Sequence, residues 1–114
     1  MFKWADVDGV VVVKPSGQLD INNAFPFRQW VKDNFTTKDE YKAIVVDLSD
    51  TSSIDSFALG SLIALYKDAN TNKKRFYLVV NNDDIRRILE ITSLDKIFPM
   101  VDDIKDALKK LGIN

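Results

Sequence analysis

Ala43-Ile44-Val45-Val46-Asp47-Leu48, followed by Ser49-Asp50-Thr51-Ser52-Ser53-Ile54-Asp55-Ser56-Phe57-Ala58-Leu59-Gly60, decides how the rest of the chain is read. The first six residues form a near-continuous apolar run ending in an acid. Such a run suits a strand covered on both faces. Ser49 to Ser53 is small and polar, which predicts a loop with turn chemistry. Leu59, Leu62, Ile63, Tyr66 and Ala69 then recur at helical spacing and predict a helix with one apolar stripe. Asp55 or Ser56 can cap its start, and Asn70 to Lys74 closes it. A buried strand that feeds an apolar helix through a polar loop is a building block of α/β sheets.

Upstream of this block, Phe2 to Val7 alternates loosely and suggests a strand. Asp8-Gly9 is a strong turn signal, so a hairpin to a second strand, Val10–Lys14, is expected. Pro15-Ser16-Gly17 ends or bends that strand, with Gln18-Leu19 continuing it. Asn22-Asn23 offers N-caps for a first helix, and Pro26 falls in its first turn, where backbone N–H groups lack intrahelical partners anyway. Phe27, Trp30, Val31 and Phe35 form its apolar stripe, and Thr36 to Glu40 reads as a polar loop.

Downstream, Arg75–Val80 reads as a buried strand. Asn82 or Asp83 caps a third helix with Ile85, Ile88 and Leu89 inward. Lys96-Ile97-Phe98 reads as a short strand stopped by Pro99. Asp102-Asp103 starts a last helix with Ile104, Ala107, Leu108 and Leu111 inward, and Lys109-Lys110 in its final turn suits the helix dipole. The order β-β-α-β-α-β-α-β-α predicts an α/β fold: a mixed β-sheet opened by a hairpin and flanked by four helices.

The chain's 114 residues fit one domain, 1–114, and its 46% apolar content is enough for a core. Sixteen basic and seventeen acidic residues are interleaved, for a net charge of −1. No basic stripe forms, so nucleic acid is not expected as a partner. The densest basic cluster, Lys73-Lys74-Arg75, reads as a solvated turn. Met1-Phe2-Lys3-Trp4-Ala5-Asp6 does not read as a leader peptide, and the longest uniform apolar run, Val10 to Val13, is far too short to span a bilayer. A cytoplasmic protein without membrane insertion is the expectation.

Chemistry is constrained by what is missing. There is no cysteine and no histidine, which removes thiolate nucleophiles, Cys-based zinc sites and the usual near-neutral general base. The four glycines match neither phosphate-loop pattern, and no nucleophile elbow surrounds a serine. A non-enzyme without cofactor or metal is expected. Ser56 is the residue with the most room for a role. At a helix N-terminus a phosphate on its hydroxyl would meet free N–H groups and the dipole, while Asp55 would repel it. On physical grounds alone, an ordinary cap is the leading reading of Ser56, and capping or turn formation that of Asp20, Asp47, Asp50 and Asp55. Trp4 and Trp30 read as packing residues. Phe57 is either a helix-start packing residue or an exposed contact.

The chain resembles the STAS family, named after sulfate transporters and anti-sigma factor antagonists. The resemblance rests on Gly17-Gln18-Leu19-Asp20, Ile44-Val45-Val46-Asp47-Leu48-Ser49, Ile54-Asp55-Ser56 with Leu59-Gly60, the strand Phe76–Val80, Ile85 to Thr92, and Leu94-Asp95-Lys96-Ile97-Phe98. It covers almost the whole chain in one element order. It implies a mixed sheet flanked by helices and a regulatory binding module without catalysis. Stand-alone members capture an anti-sigma factor that is also a serine kinase. That kinase phosphorylates the serine after the loop Asp, here Ser56, and a cognate phosphatase reverses the mark. Asp20 and Asp55 match acidic positions around it. With the resemblance, the switch reading of Ser56 overtakes the cap reading, and Asp20, Asp55, Ser56 and Phe57 become the expected partner-binding residues.

Two positions depart from the usual Asp-Ser-Ser-Gly-Leu-Gly pattern: Phe57 stands for the second Ser and Ala58 for the first Gly. An Asp-Ser-Phe start is similar to some stressosome scaffold members. A scaffold subunit of a stressosome-like assembly, in which copies of the chain associate, is therefore a second reading, and a lipid-transport accessory protein a third. A signalling receiver with Asp47 as phosphoacceptor is ruled out by the opening hairpin, because a receiver places a helix between its first two strands.

Overall fold

The computed structural model describes residues 2–114; Met1 lies outside them. Strands β1 (Lys3–Val7) and β2 (Val10–Lys14) form the expected antiparallel hairpin. Its turn places Asp8 at φ 52° and Gly9 at φ 85°, the left-handed pair that matches strand twist in a two-residue hairpin. The Gly9 N–H donates to Asp6 Oδ1 at 2.8 Å, closing the turn.

β2 then pairs in parallel with β4 (Ala43–Asp47), β4 with β6 (Arg75–Val79), and β6 with β7 (Met100–Val101). The five-stranded sheet has the order β1-β2-β4-β6-β7. Every residue of β4, the central strand, is buried, so its apolar run needs no polar alternation. Val11, Val13, Ile44, Val46, Phe76 and Leu78 belong to the larger core. Val10, Ala43, Val45, Val79 and Val101 join Ala107 and Leu111 in a smaller one. Because successive strand side chains point to opposite faces, the sheet is covered on both sides.

The larger core is filled by α1 (Ala24–Val31), α2 (Ser56–Thr71) and α3 (Asp83–Ile91), and the smaller one by α4 (Ile104–Lys110). Asn82 Oδ1 accepts from the Asp84 and Ile85 N–H groups and caps α3, and Asp103 caps α4 through the Asp106 N–H. Trp30 packs between Phe2, Phe27 and Phe35, while Trp4 is half exposed against Phe35; both are packing residues.

Several expectations need correction. Ser49 to Ser53 is not all loop: Thr51–Ile54 is a strand, β5, pairing in parallel with β3 (Gly17–Leu19) in a separate two-stranded sheet. Thr51 is buried and its hydroxyl donates to the Pro15 carbonyl at 3.1 Å, while Ser52 and Ser53 face solvent. A two-stranded sheet with polar outer positions thus carries loop-like composition. Lys96-Ile97-Phe98 is not a strand. Leu94–Lys96 forms a 3-10 turn, Ile97 is exposed, and Phe98 is buried against Tyr66 and Phe76. The strand follows Pro99 instead, whose carbonyl accepts from the Leu78 N–H at 2.9 Å.

Thr36 is buried at the end of a π turn over Lys32–Thr36, not in a polar loop. Lys74, expected in a solvated turn, is buried, with Nζ donating to the Lys38 and Tyr41 carbonyl oxygens. Its apolar stem lies inside while its ammonium replaces water with backbone acceptors. The core stripe of α2 is Ala58, Leu62, Leu65 and Ala69, with Leu59, Ile63 and Tyr66 only half-buried beside it.

Candidate functional site: the head of the second helix

β3 and β5 end side by side, with Leu19 opposite Ile54. Beyond that pair the two segments diverge into α1 and α2, so two helix starts meet at one end of the molecule. Asp55 caps α2: it has an extended backbone, and its Oδ1 accepts from the Ala58 N–H at 2.9 Å. Its other oxygen, Oδ2, accepts from the Ile21 N–H at 3.1 Å. The two sequence-predicted cap candidates are thereby separated. Asp55 does the capping, and Ser56 is the first helical residue, exposed, with no capping duty.

Asp20 behaves differently from its neighbours. It is half-buried, and its Oδ1 accepts from the Asn22 N–H at 2.9 Å, so its carboxylate is folded onto its own turn. Asn23 occupies the cap position of α1 without capping the helix. Its Oδ1 accepts from the Asp20 N–H and its Nδ2 donates to the Gln18 carbonyl, both at 2.8 Å. Of the four expected contact residues, Asp55, Ser56 and Phe57 stand together on α2, and Asp20 lies beside them across the β3–β5 pair.

An open cleft of about 340 Å³ runs between the two helices. One wall carries Ile21, Phe25 and Arg28, the other Ser56 and Phe57, and Gly60, Ser61 and Ala64 line it further along α2. Phe25, Phe57 and Ile21 are 63%, 55% and 59% exposed, a concentration of apolar surface around one serine. Exposed apolar patches of this kind mark interaction surfaces. At the far end Arg28 pairs with Asp68, Nε to Oδ2 at 3.0 Å and Nη2 to Oδ1 at 3.1 Å. The hydrogen bonds with Asp68 raise the Arg28 pKa further above its ordinary value, against a smaller lowering by burial. Arg28 therefore reaches the cleft as a charged group already paired with a carboxylate.

Ile21, Phe25 and Arg28 are absent from the sequence reading of the site. Phe25 had a signal: it lies two residues before the buried Phe27, and residues so spaced on a helix do not share a face. Ile21 had none, since its position depends on the Asp55 contact 34 residues away. Among the described residues no helix is long and apolar enough to cross a membrane.

Residues 3–107 match the model of the STAS domain family. The chain is 39% identical to a Thermotoga maritima protein named as a candidate anti-sigma factor antagonist, over 97% of both chains. A crystal structure of a Thermotoga maritima protein so named superposes with a TM-score of 0.89 at 38% identity, covering 96% of this chain and 92% of that one. The crystal structure of an anti-sigma factor antagonist from Mycobacterium paratuberculosis gives a TM-score of 0.84 at 32% identity, covering 96% and 92%.

Proposed function

This chain belongs to the STAS domain family, and from that premise we propose that it is an anti-sigma factor antagonist working by partner switching. Unphosphorylated, it captures an anti-sigma factor that is also a serine kinase, and the sigma factor goes free. The kinase phosphorylates Ser56, the complex dissociates, and a cognate phosphatase resets the module. In this reading the chain acts in the cytoplasm as a binding module and catalyses nothing itself.

The observation that carries the reading is the state of Ser56. Its hydroxyl is exposed on the first residue of α2, is relieved of capping by Asp55, and stands in an apolar cleft. Phosphorylation there adds about −1.5 to −2 charges. Ile21, Phe25 and Phe57 offer a partner apolar burial, and a doubly charged group set among them has to be desolvated for the partner to stay seated. Asp55 adds like-charge repulsion next door. That desolvation is needed only in the complex, where the removal of water also strengthens the repulsion, so affinity for the captured kinase falls. The name of a relative supports the class of partner: an anti-sigma F factor antagonist of Paenibacillus polymyxa is 29% identical over 92% of this chain and 89% of that one.

The test is incubation with ATP, Mg²⁺ and each candidate partner kinase of the host, read by intact mass, with Ser56→Ala as control. One phosphate on the wild type and none on the variant is the expected result. No phosphate with any kinase would sink the switch.

A second reading has its own observation. Phe25 and Phe57 expose more than half of their surface each, on the same cleft. A scaffold subunit would bury this face against further copies, and a large species in solution that Phe57→Ser breaks down would mark it.

A further inference from the structure

The two walls of the cleft come from segments that separate after the Leu19–Ile54 pair; beneath them Ala24, Phe27, Ala58 and Leu62 share one core, and at the exposed rims polar side chains join them. Among the described residues, two side-chain ties join them along the cleft. Arg28–Asp68 closes the far end, and the Asp55 carboxylate spans the near end. Asp55 uses a different oxygen for each duty, Oδ1 for the Ala58 N–H of its own helix and Oδ2 for the Ile21 N–H of the opposite wall. The neighbouring Asp20 takes no part, because its carboxylate is closed on Asn22.

We infer that Asp55 is a positioning residue: it fixes the Ile21–Phe25 wall against the Ser56–Phe57 wall, so that a partner meets one preformed apolar face. This rests on the binding role proposed above and deepens it. The partner segment that fits is apolar and uncharged. Three exposed apolar side chains form the mouth, small residues line the cleft further along α2, and the cation in the lining, Arg28, is already paired with Asp68. With the walls tied, the partner need not spend binding free energy on ordering them, which is the general benefit of preorganisation.

Asp55→Asn separates the two duties. Asn is as good an N-cap as Asp, so α2 keeps its start. Its amide nitrogen is a donor, however, and cannot accept from the Ile21 N–H, so the tie becomes a donor–donor contact. The reaction of the partner kinase with the wild type and with Asp55→Asn is measured at varied concentrations of this chain. Hydrogen exchange at Ile21 and Ala58 is followed in parallel, with the thermal midpoint as a fold control.

The expected result is Ile21 exchange and KM each rising about fivefold, the size of one net hydrogen bond, with kcat and Ala58 protection held and the midpoint lowered by no more than the few degrees that one such bond is worth. A rise in Ile21 exchange with KM unchanged would overturn the inference, as would exchange unaltered at both Ile21 and Ala58. Should the amide turn over to keep Ile21 and abandon Ala58, the Ala58 amide exchanges faster instead, and a KM that still rises would then overturn it. A wild type that takes no phosphate is the failure of the partner-switching reading, not of the tie.

Discussion

Arg28 of α1 and Asp68 of α2 meet through two parallel hydrogen bonds, 3.0 and 3.1 Å, at the end of the cleft away from Ser56. Both side chains are partly shielded from solvent, and the fork geometry is the strong form of an ion pair. Asp68→Asn, which leaves one acceptor and removes the charge, is expected to lower stability by about 1 kcal/mol in urea unfolding. Loss of stability with the m-value unchanged would mark a local effect on the α1–α2 contact.

Lys74 is expected to matter more than its place in a basic cluster suggests. Its buried ammonium serves two backbone carbonyls, those of Lys38 and Tyr41, far away in the chain. Lys74→Met keeps the stem and removes the donor, leaving both oxygens short of a partner. The expected cost is about 1–3 kcal/mol, with faster proteolysis between residues 37 and 42 as the local sign. A neutral result would mean that water takes over both carbonyls.

Ser56→Ala is expected to change stability by less than about 0.5 kcal/mol, because the cap belongs to Asp55. Asp55→Ala should cost about 1–2 kcal/mol, losing the cap and the Ile21 tie together. Thermal unfolding of the two single variants checks this contrast directly. The reverse ranking would return the cap to Ser56.

Phe25→Ser and Phe57→Ser are each expected to leave stability within about 0.5 kcal/mol, since both rings are more than half exposed. Each should weaken capture of the partner kinase by tenfold or more if its ring is a buried anchor in the complex. Isothermal titration with non-hydrolysable nucleotide present gives the number. Unaltered affinity in both would move the interface away from the cleft.

Lys73 holds φ 59° directly after Asn72, the C-cap of α2, a conformation in which any side chain with a Cβ meets a steric penalty. Lys73→Gly is expected to raise stability by about 0.5–1 kcal/mol in urea unfolding, once the extra freedom of glycine in the unfolded chain is set against the relief.

Much of this architecture is written locally. Asp8-Gly9 between two strand-like segments can hardly be anything but a hairpin, and the apolar runs Ala43–Val46 and Phe76–Val79 are legible because they need no partner to be recognised. Asn82 and Asp103 announce their helices through bonds that reach only two or three residues ahead. What was not legible is non-local. The Thr51–Ile54 strand exists because Gly17–Leu19 lies alongside it, and no property of Thr-Ser-Ser-Ile by itself calls for a sheet. Lys74 is polar in composition and buried in space, because its acceptors come from a loop more than thirty residues earlier. The same reason separates the parts of the site. Ser56, Asp55 and Phe57 were adjacent in sequence and easily grouped, whereas Ile21 and Phe25 joined them only through the fold.

The handing of the α2 cap to Asp55 has a consequence for how this protein can change over time. A serine that also capped its helix would be pinned, since each replacement would be judged by folding before it was judged by signalling. Position 56 is released from the first of those judgements. A lineage can sample threonine, alanine or a carboxylate there and test each as a differently set signal, on or off by default, with the architecture held constant. The neighbouring position pays for that latitude by being doubly committed. The prediction for a saturation library is a tolerant site at 56 beside an intolerant one at 55.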